Sequence, residues 1–377
     1  MVKNPLVTVI VVNYNSRKKW DIVEQSIRGI LSLTYRPLEA IFVDNGSTDG
    51  SFELLNGVVN KVLKHVDEDL MVKVIRLSKN YGFAVANIIA YKLRDANSKY
   101  VALINNDLVP EPNSLEKLVK VLEDNPKIAG VQGVILSWDG AYVDTYGCLG
   151  TDHGNLYGVG HTLLPNIIVR PILVTYADGA FSMYRTDAIE KCGGLFLPYF
   201  FMWGDDYELG VRLWRCGYIL VAVPIIVGRH YRGLTVGHKQ MPYMYEYWSW
   251  LTNIAVMVVL YGHPWILQLL KRIPTILAAI IEKRSKAITR ALIDGLKIGI
   301  KLRRLVLRHR SWLKMPKEPR LRVNIFWELA LLTRLWLRLG KFKAMGKYHA
   351  VIARCLGKVY ASIKHCQRNT KKHLENI

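Results

Sequence analysis

Several acidic positions in this chain have neighbours that make carboxylate chemistry available. Asp205 and Asp206 are adjacent, with Trp203 just before them and Glu208 two residues after. Paired carboxylates beside apolar rings push one another's pKa upward, as a general base needs if it is to take a proton in a half-desolvated site. Two acids opening a helical pattern also read as N-terminal residues that suit the helix dipole. Asp107 ends the run Asn105-Asn106-Asp107. A carboxylate beside two amides is an oxygen site for Mg²⁺ or Mn²⁺ once substrate phosphates complete it, or else a turn ahead of Pro110. Asp44 opens Asp44-Asn45-Gly46-Ser47-Thr48-Asp49. These are turn-forming types, yet a carboxylate there can also accept from a nucleobase N–H or ribose hydroxyls. Asn80-x-Gly82 is a weaker signal, and His230 is either a metal ligand or a histidine satisfied at a strand end.

The elements that must position these residues alternate in type. Short β-branched runs at 7–12, 39–43, 72–77 and 100–104 predict strands, and helical patterns lie between and after them at 20–33, 51–63, 84–94 and 114–123. That alternation predicts an α/β, mostly parallel sheet flanked by helices. Ligands of open α/β sheets bind beyond the carboxyl ends of the strands, which selects residues 13–16, 44–49, 78–82 and 105–107. A second block, 128–233, carries strand-like runs at 128–136, 172–176 and 219–227, a loop containing Asp178-Gly-Ala-Phe-Ser, and a helix opening at Gly204-Asp205-Asp206 and ending near Gly217.

Composition bounds the rest. The 377 residues allow two domains of roughly 150 residues, or one large core with an appendage. With 51% hydrophobic and 22% charged residues, 28 Gly and 14 Pro, collagen-like, low-complexity and largely disordered classes are excluded. The five cysteines (Cys148, Cys192, Cys216, Cys355, Cys366) include no C-x-x-C, so neither a disulfide framework nor a zinc ribbon is suggested and a reducing cytosol is the simplest compartment. The first residues run straight into a strand-like segment, which argues against a cleaved signal peptide. The net charge of +22 is unevenly placed: residues 1–270 hold 25 Lys+Arg against 25 Asp+Glu, and residues 271–377 hold 27 against 5. Such a segment suits a phosphate-bearing surface, either an anionic membrane leaflet or nucleic acid.

Taken in order, the motifs resemble glycosyltransferase family 2, the inverting enzymes of GT-A fold, and in particular its rhamnosyltransferase-like branch. The stretches that carry the likeness begin at Thr8-Val-Ile-Val-Val-Asn-Tyr-Asn15, Val43-Asp-Asn-Gly-Ser-Thr-Asp-Gly-Ser51 and Asn80-Tyr-Gly-Phe-Ala84 with Asn87. They continue through Leu103-Ile-Asn-Asn-Asp107, Asp178-Gly-Ala-Phe181 and Gly204-Asp-Asp-Tyr-Glu-Leu-Gly-Val-Arg-Leu213, so the likeness covers about residues 5–235. It implies a GT-A catalytic domain over 1–240 and a nucleotide-diphosphate sugar donor. It also implies Asp107 and His230 as ligands of Mn²⁺ or Mg²⁺, and a base drawn from Asp206 and Asp205. Donor contacts are expected from Asn13, Tyr14, Asn15, Asp44, Asn45, Asn80, Gly82, Asn87, Asn105, Asn106 and Trp203. Asn105 occupies the first position of the DXD-type motif, and Asp205 replaces the glutamate of the family's Glu-Asp pair.

Past residue 240 the likeness fades. Residues 247–270 hold 24 positions without Asp, Glu, Lys or Arg, interrupted by Gly262-His263-Pro264. That run reads as an interfacial membrane element, as helices packed on the core, or as a span. Residues 290–310 read as a basic amphipathic helix, residues 314–322 as a linker, and the remainder as basic helices with Trp327 and Trp336. These patterns divide the tail into 241–315, apolar and amphipathic, and 316–377, a basic helical extension. The expectation is an inverting glycosyltransferase at the cytoplasmic face of the cell membrane, peripheral or monotopic, with a glycan or lipid-linked acceptor and an anionic membrane surface as partners. Two rivals are a non-catalytic nucleotide-sugar-binding scaffold and a nucleic-acid-binding protein; the Trp-rich, apolar spacing of the tail disfavours nucleic acid.

Overall fold

The computed structural model describes residues 4–63, 69–151, 156–233, 242–260, 285–306 and 318–321. Its first half is a strand and helix alternation: β1 (Val7–Asn13), α1 (Trp20–Leu31), β2 (Leu38–Asp44), α2 (Ser51–Leu63), β3 (Leu70–Arg76), α3 (Phe83–Leu93) and β4 (Tyr100–Ile104). β1 pairs in parallel with β2 and β4, and β2 with β3. β2 and β4 are buried along their whole length and β1 along nearly all of it, which explains why they read as continuous apolar runs rather than alternating ones. The helices present one apolar face each. In α1 it is Ile22, Val23, Ile27, Ile30 and Leu31, spaced to fall on one side at 3.6 residues per turn.

The second half continues with β5 (Leu108–Pro110), α4 (Ser114–Asp124), β6 (Ile128–Ser137), β7 (Val143–Thr145), β8 (Cys148–Thr151), β9 (Leu156–Gly158), β10 (Ile172–Leu173), β11 (Phe181–Arg185), α5 (Thr186–Lys191), α6 (Asp205–Arg215) and β12 (Ile219–His230). The main sheet runs β10-β12-β6-β11-β4-β1-β2-β3, with β5 on β12 and β7 on β6. β11 lies antiparallel between β4 and β6. This differs from the sequence reading, which leaves Phe181-Ser182 in a loop; the strand carries Ser182 and Arg185 inside the core, so no apolar run marks it. Arg185 is satisfied there by backbone, its Nε donating to Ile128 O at 2.8 Å. The expected strand at 172–176 shortens to Ile172–Leu173. β12 runs three residues past its expected end, and its ladder skips around the exposed Pro224, which has no N–H to give.

Cys192 and Cys216 are paired as a disulfide, Cα atoms 6.1 Å apart, where the sequence suggests none. The reason is tertiary: Gly193-Gly194 turns the chain after α5, so that the end of α5 meets the end of α6.

α7 (Pro242–Leu260) and α8 (Ser285–Val306) lie side by side, running in the same direction, against the sheet domain, and a last short strand, β13 (Arg320–Leu321), joins β8 in parallel. On α7, Leu251 and Ala255 enter the main core, and Val256 and Val259 join Tyr207 and Val211 of α6 in a second cluster. The two helices approach closely because Gly295 and Gly299 face α7: a Cβ would stand 2.8 Å from Leu251 O at the first and 2.6 Å from Val258 Cβ at the second. The part of the uncharged run within α7 is therefore packed on the core, one of the three readings the sequence allows. No helix among the described residues is long and apolar enough to cross a membrane. Gly262-His263-Pro264, most of the 314–322 linker and the basic extension lie outside the described residues.

Candidate functional site

The carboxyl ends of β1, β2 and β4 meet in one hydrogen-bonded group. Asn13 and Asp44 are register partners at the last rungs of β1 and β2. Asn13 Nδ2 donates to Asp44 Oδ1 at 3.2 Å, and Asn13 Oδ1 accepts from Asn106 Nδ2 at 2.9 Å. Asp44 is fully buried, and its second oxygen accepts from the backbone of Ser47 at 3.0 Å. The turn role of Asp44 is thus realised, with both oxygens held by the chain. Asn15 fixes the facing loop, its Oδ1 accepting from Thr48 N at 2.8 Å, while Tyr14 is half-buried beside it. Asn45 reaches across to the loop after β3: its Nδ2 donates to Asn80 Oδ1 at 2.9 Å, and Asn80 Oδ1 also accepts from Gly82 N at 2.8 Å. Gly82 has a φ of +85° and lies against Phe201, where any side chain would strike backbone.

The second group forms around Asp107. β5 pairs with β12 so that Leu108 faces His230, which brings His230 to Asp107, 123 residues away in sequence. His230 Nε2 lies 3.1 Å from Asp107 Oδ1, and its Nδ1 lies 2.9 Å from Asp144 Oδ2. Burial disfavours the imidazolium, but hydrogen bonds to Asp107 and Asp144 outweigh it and push the His230 pKa up to about 9. Asp144 shows the mirror effect. Burial pushes its carboxyl up, yet the hydrogen bond from His230 and the charge of Arg232 hold it below the ordinary range.

These donors suit a divalent cation. Asp107 offers a hard oxygen, His230 an imidazole nitrogen, and Asp144 holds the far nitrogen of His230, as carboxylates hold ligating histidines. Among the described residues no set of three or more His, Cys, Asp or Glu would hold a cation unaided, so substrate oxygens would complete the sphere.

The third group stands at the start of α6, after Gly204. Asp205 is buried, and its Oδ2 has no hydrogen-bond partner. Burial pushes its carboxyl up to about 6, against hydrogen bonds from the helix backbone. Asp206 is half-buried, with Oδ1 accepting from Tyr207 N at 2.8 Å and Oδ2 3.3 Å from Gly179 N. Burial, then the charges of Asp205 and Asp178, raise its pKa well above the usual carboxylate value. Asp206 is therefore the member of the pair that reaches the cleft.

Other expected residues play visible structural parts. Asn87 Nδ2 donates to Phe83 O at 2.9 Å within α3. Trp203 has a φ of 60°, and its carbonyl accepts from Thr252 of α7 at 3.0 Å. Asn105 is half-buried at the end of β4, its N–H donating to Ala180 O at 2.9 Å. Glu208 turns away from the acidic pair to Arg212, 2.8 Å off. Three residues of the cleft carry no site role in the sequence reading: Asp144, Asp178 and Arg232. Arg232 spans the two acids, with Nε 2.7 Å from Asp144 Oδ1 and Nη2 3.7 Å from Asp178 Oδ2. The local hints were Asp178, which opens the stretch Asp178-Gly-Ala-Phe181, and Asp144, an acid between Val143 and Thr145 in a short β-branched run.

Residues 8–193 match the family Glycosyl transferase family 2. An uncharacterized glycosyltransferase of Haemophilus influenzae is 33% identical over 131 residues, 34% of this chain and 36% of that protein. The undecaprenyl-phosphate 4-deoxy-4-formamido-L-arabinose transferase of Yersinia enterocolitica is 27% identical over 124 residues, 33% of this chain and 36% of that protein. The chain thus spans about a third of the length of these curated relatives. Among solved structures, GalNAc-T7 with UDP, GalNAc and Mn²⁺ superposes with a TM-score of 0.52 at 14% identity, covering 84% of this chain and 59% of that one. The family match takes in just under half of the chain, and the fold is GT-A-like.

Proposed function

We propose that this chain, carrying a glycosyl transferase family 2 domain, is an inverting glycosyltransferase that moves a hexosyl group from a nucleotide-diphosphate sugar to an acceptor hydroxyl. The observation that carries the reading is a run of contacts from Asp107 through His230, Asp144 and Arg232 to Asp178, which lies beside Asp206 in the cleft. Such a run joins a donor end to a base. Asp107 and His230 would hold Mn²⁺ or Mg²⁺. The chemistry that ion supplies when bound is neutralisation of charge on the diphosphate.

The protein's own part begins with Asp206. Its carboxylate takes the proton of the acceptor hydroxyl. The oxygen attacks the anomeric carbon from the face opposite the diphosphate, the bond from that carbon to the diphosphate oxygen breaks, and the nucleoside diphosphate leaves. The buried Asp205 raises the proton affinity of Asp206 by like-charge repulsion. Asn13, Asn45, Asn80 and Asn106 order the loops on the nucleotide side. The likeness of its motifs to the rhamnosyltransferase-like branch is the reason to include dTDP-sugars among the donors to try.

The acceptor we propose is lipid-linked, at the cytoplasmic face of the cell membrane. The relative named for undecaprenyl-phosphate supports this, as does the concentration of the whole +22 charge in residues 271–377. Each Lys or Arg near an anionic surface adds about 1 kcal/mol. Residues 322–377 alone hold 12 Lys+Arg against 2 Asp+Glu. Their removal should move the protein from vesicles containing anionic lipid to solution, and unchanged partitioning would refute the membrane assignment.

The activity is tested with a panel of UDP-, GDP- and dTDP-sugars, Mn²⁺ or Mg²⁺ and membrane lipids, comparing wild type with Asp206→Asn. Turnover of one donor by the wild type, lost in the variant with donor binding kept, is the expected result. Equal turnover by the two proteins would remove Asp206 as base.

A further inference from the structure

Arg232 lies two residues beyond His230, with a φ of 58° that non-glycine residues rarely adopt. Its backbone is anchored at the cation-site candidates: the N–H of Tyr231 donates to Asp107 O at 2.9 Å, and Trp138 packs edge-on against the Tyr231 ring at 5.8 Å. The Arg232 side chain is 53% exposed, whereas the Asp144 carboxylate under it is 6% exposed and Asp178 23%. The Nε takes one hydrogen bond to Asp144. The 3.7 Å approach to Asp178 is longer than a hydrogen bond, so the outer edge of the fork is weakly engaged.

The cleft is acidic, with Asp107, Asp144, Asp178, Asp205 and Asp206 around it, and a diphosphate adds at least two negative charges. A guanidinium at the opening, held by a solvent-facing ion pair that an anion can displace, answers that repulsion. Its planar fork matches two phosphate oxygens at once.

We infer that Arg232 is a diphosphate-binding residue of the donor site: its outer N–H groups leave Asp178 for the phosphate oxygens as donor binds, while Nε stays on Asp144. The inference rests on the nucleotide-sugar reading above. As the glycosyl bond breaks, charge grows on the departing diphosphate, so the same contact favours departure of the leaving group. Asp178, released from Arg232, becomes available to the donor's sugar.

The test measures binding to the full chain with Mn²⁺, using UDP, GDP and dTDP beside UMP, GMP and dTMP. Wild type should prefer one diphosphate over its monophosphate. Arg232→Gln should weaken the diphosphate at least about tenfold while leaving the monophosphate within about twofold, and Arg232→Lys should recover part of the loss. Asp178→Asn, by removing the competitor for the fork, should tighten the diphosphate about two- to threefold in the wild-type background and have no effect beside Arg232→Gln. Equal diphosphate affinity in wild type and Arg232→Gln would overturn the inference, as would equal losses for the two ligands. Should Arg232→Gln fail to fold, Asp178→Asn decides: unchanged or weaker diphosphate binding refutes the exchange. A wild type that binds none of the six nucleotides would instead overturn the enzyme reading itself.

Discussion

Two groups of acids share one sheet edge and behave oppositely. Around Asp107, each carboxylate has a cationic or polar partner: His230 stands between Asp107 and Asp144, and Arg232 covers Asp144, which is held ionised despite burial. At the start of α6, Asp205 and Asp206 face each other's charge, Asp205 lacks a partner at Oδ2, and both are pushed toward the protonated form. The same residue type is thus prepared for cation binding in one place and for proton transfer in the other. Environment rather than identity divides the labour, and substitutions that swap the environments should separate the two functions.

The largest separation comes from Asp206→Asn. A positioned base contributes about 10²–10⁴-fold, so transfer should fall by that range with Mn²⁺ and nucleotide affinity unchanged. Loss of Mn²⁺ binding in this variant would mean that the two groups are one site, and the comparison would fail. The converse substitution is Asp144→Asn. It leaves the geometry of His230 but removes the charge that orients it, and outer partners of this kind typically carry about 10–100-fold in metal affinity. Calorimetry with Mn²⁺ and nucleoside diphosphate should record that loss, while the pH dependence of transfer, set at α6, stays in place. A shifted pH profile with intact Mn²⁺ binding would invert the assignment.

How far the sequence foretold these groups depends on how local their causes are. β1, β2, β3 and β4 sit within two residues of where their apolar runs predict: β1, β2 and β4 are buried nearly throughout, and β3, at the sheet's edge, keeps Val72, Val74 and Ile75 packed against the core. β11 escaped because Ser182 and Arg185 look like surface residues until the sheet buries both and the carbonyls of Ile128 and Leu122 take up Arg185. Asp205 and Asp206 were legible through adjacency, and Asp107 through its place after β4. The resemblance set Asp107 and His230 on one metal, but nothing local in the residues shows their contact, which depends on β5 finding the distant β12, and the part of Asp144 follows from where that pairing leaves His230. Asp44 was read two ways; in the structure it accepts from the turn at Ser47, from Asn13 at the end of β1, and lies by Arg76 of β3. In α7 the length of the uncharged run was plain, but what covers it was settled by Gly295 and Gly299 on another helix.

The smallest effect is on stability, and its sign follows from the α6 group alone. Asp205 has a folded pKa of about 6 against 3.8 for the free group, so the fold holds its proton more tightly than the unfolded chain does. Ionising it therefore costs stability as pH rises from about 4 to about 6, and the cost stays constant above that window. About two pK units correspond to roughly 3 kcal/mol. Replacing the acid by Asn removes that cost but forfeits a favourable charge at the helix N-terminus, about 0.3–1 kcal/mol, and the net gain shrinks further where water reaches the site. Asp205→Asn should melt with wild type near pH 4 and a few degrees above it at pH 7. For Asp144→Asn the sign reverses, since a carboxyl held below its ordinary range stabilises the fold once pH exceeds the unfolded value. At pH 7 the melting curves of the two variants should therefore lie on opposite sides of wild type, Asp205→Asn above it and Asp144→Asn below it. If both fell below wild type at pH 7, the burial of Asp205 would be serving the fold, and the division of roles between the two acidic groups would lose its physical basis.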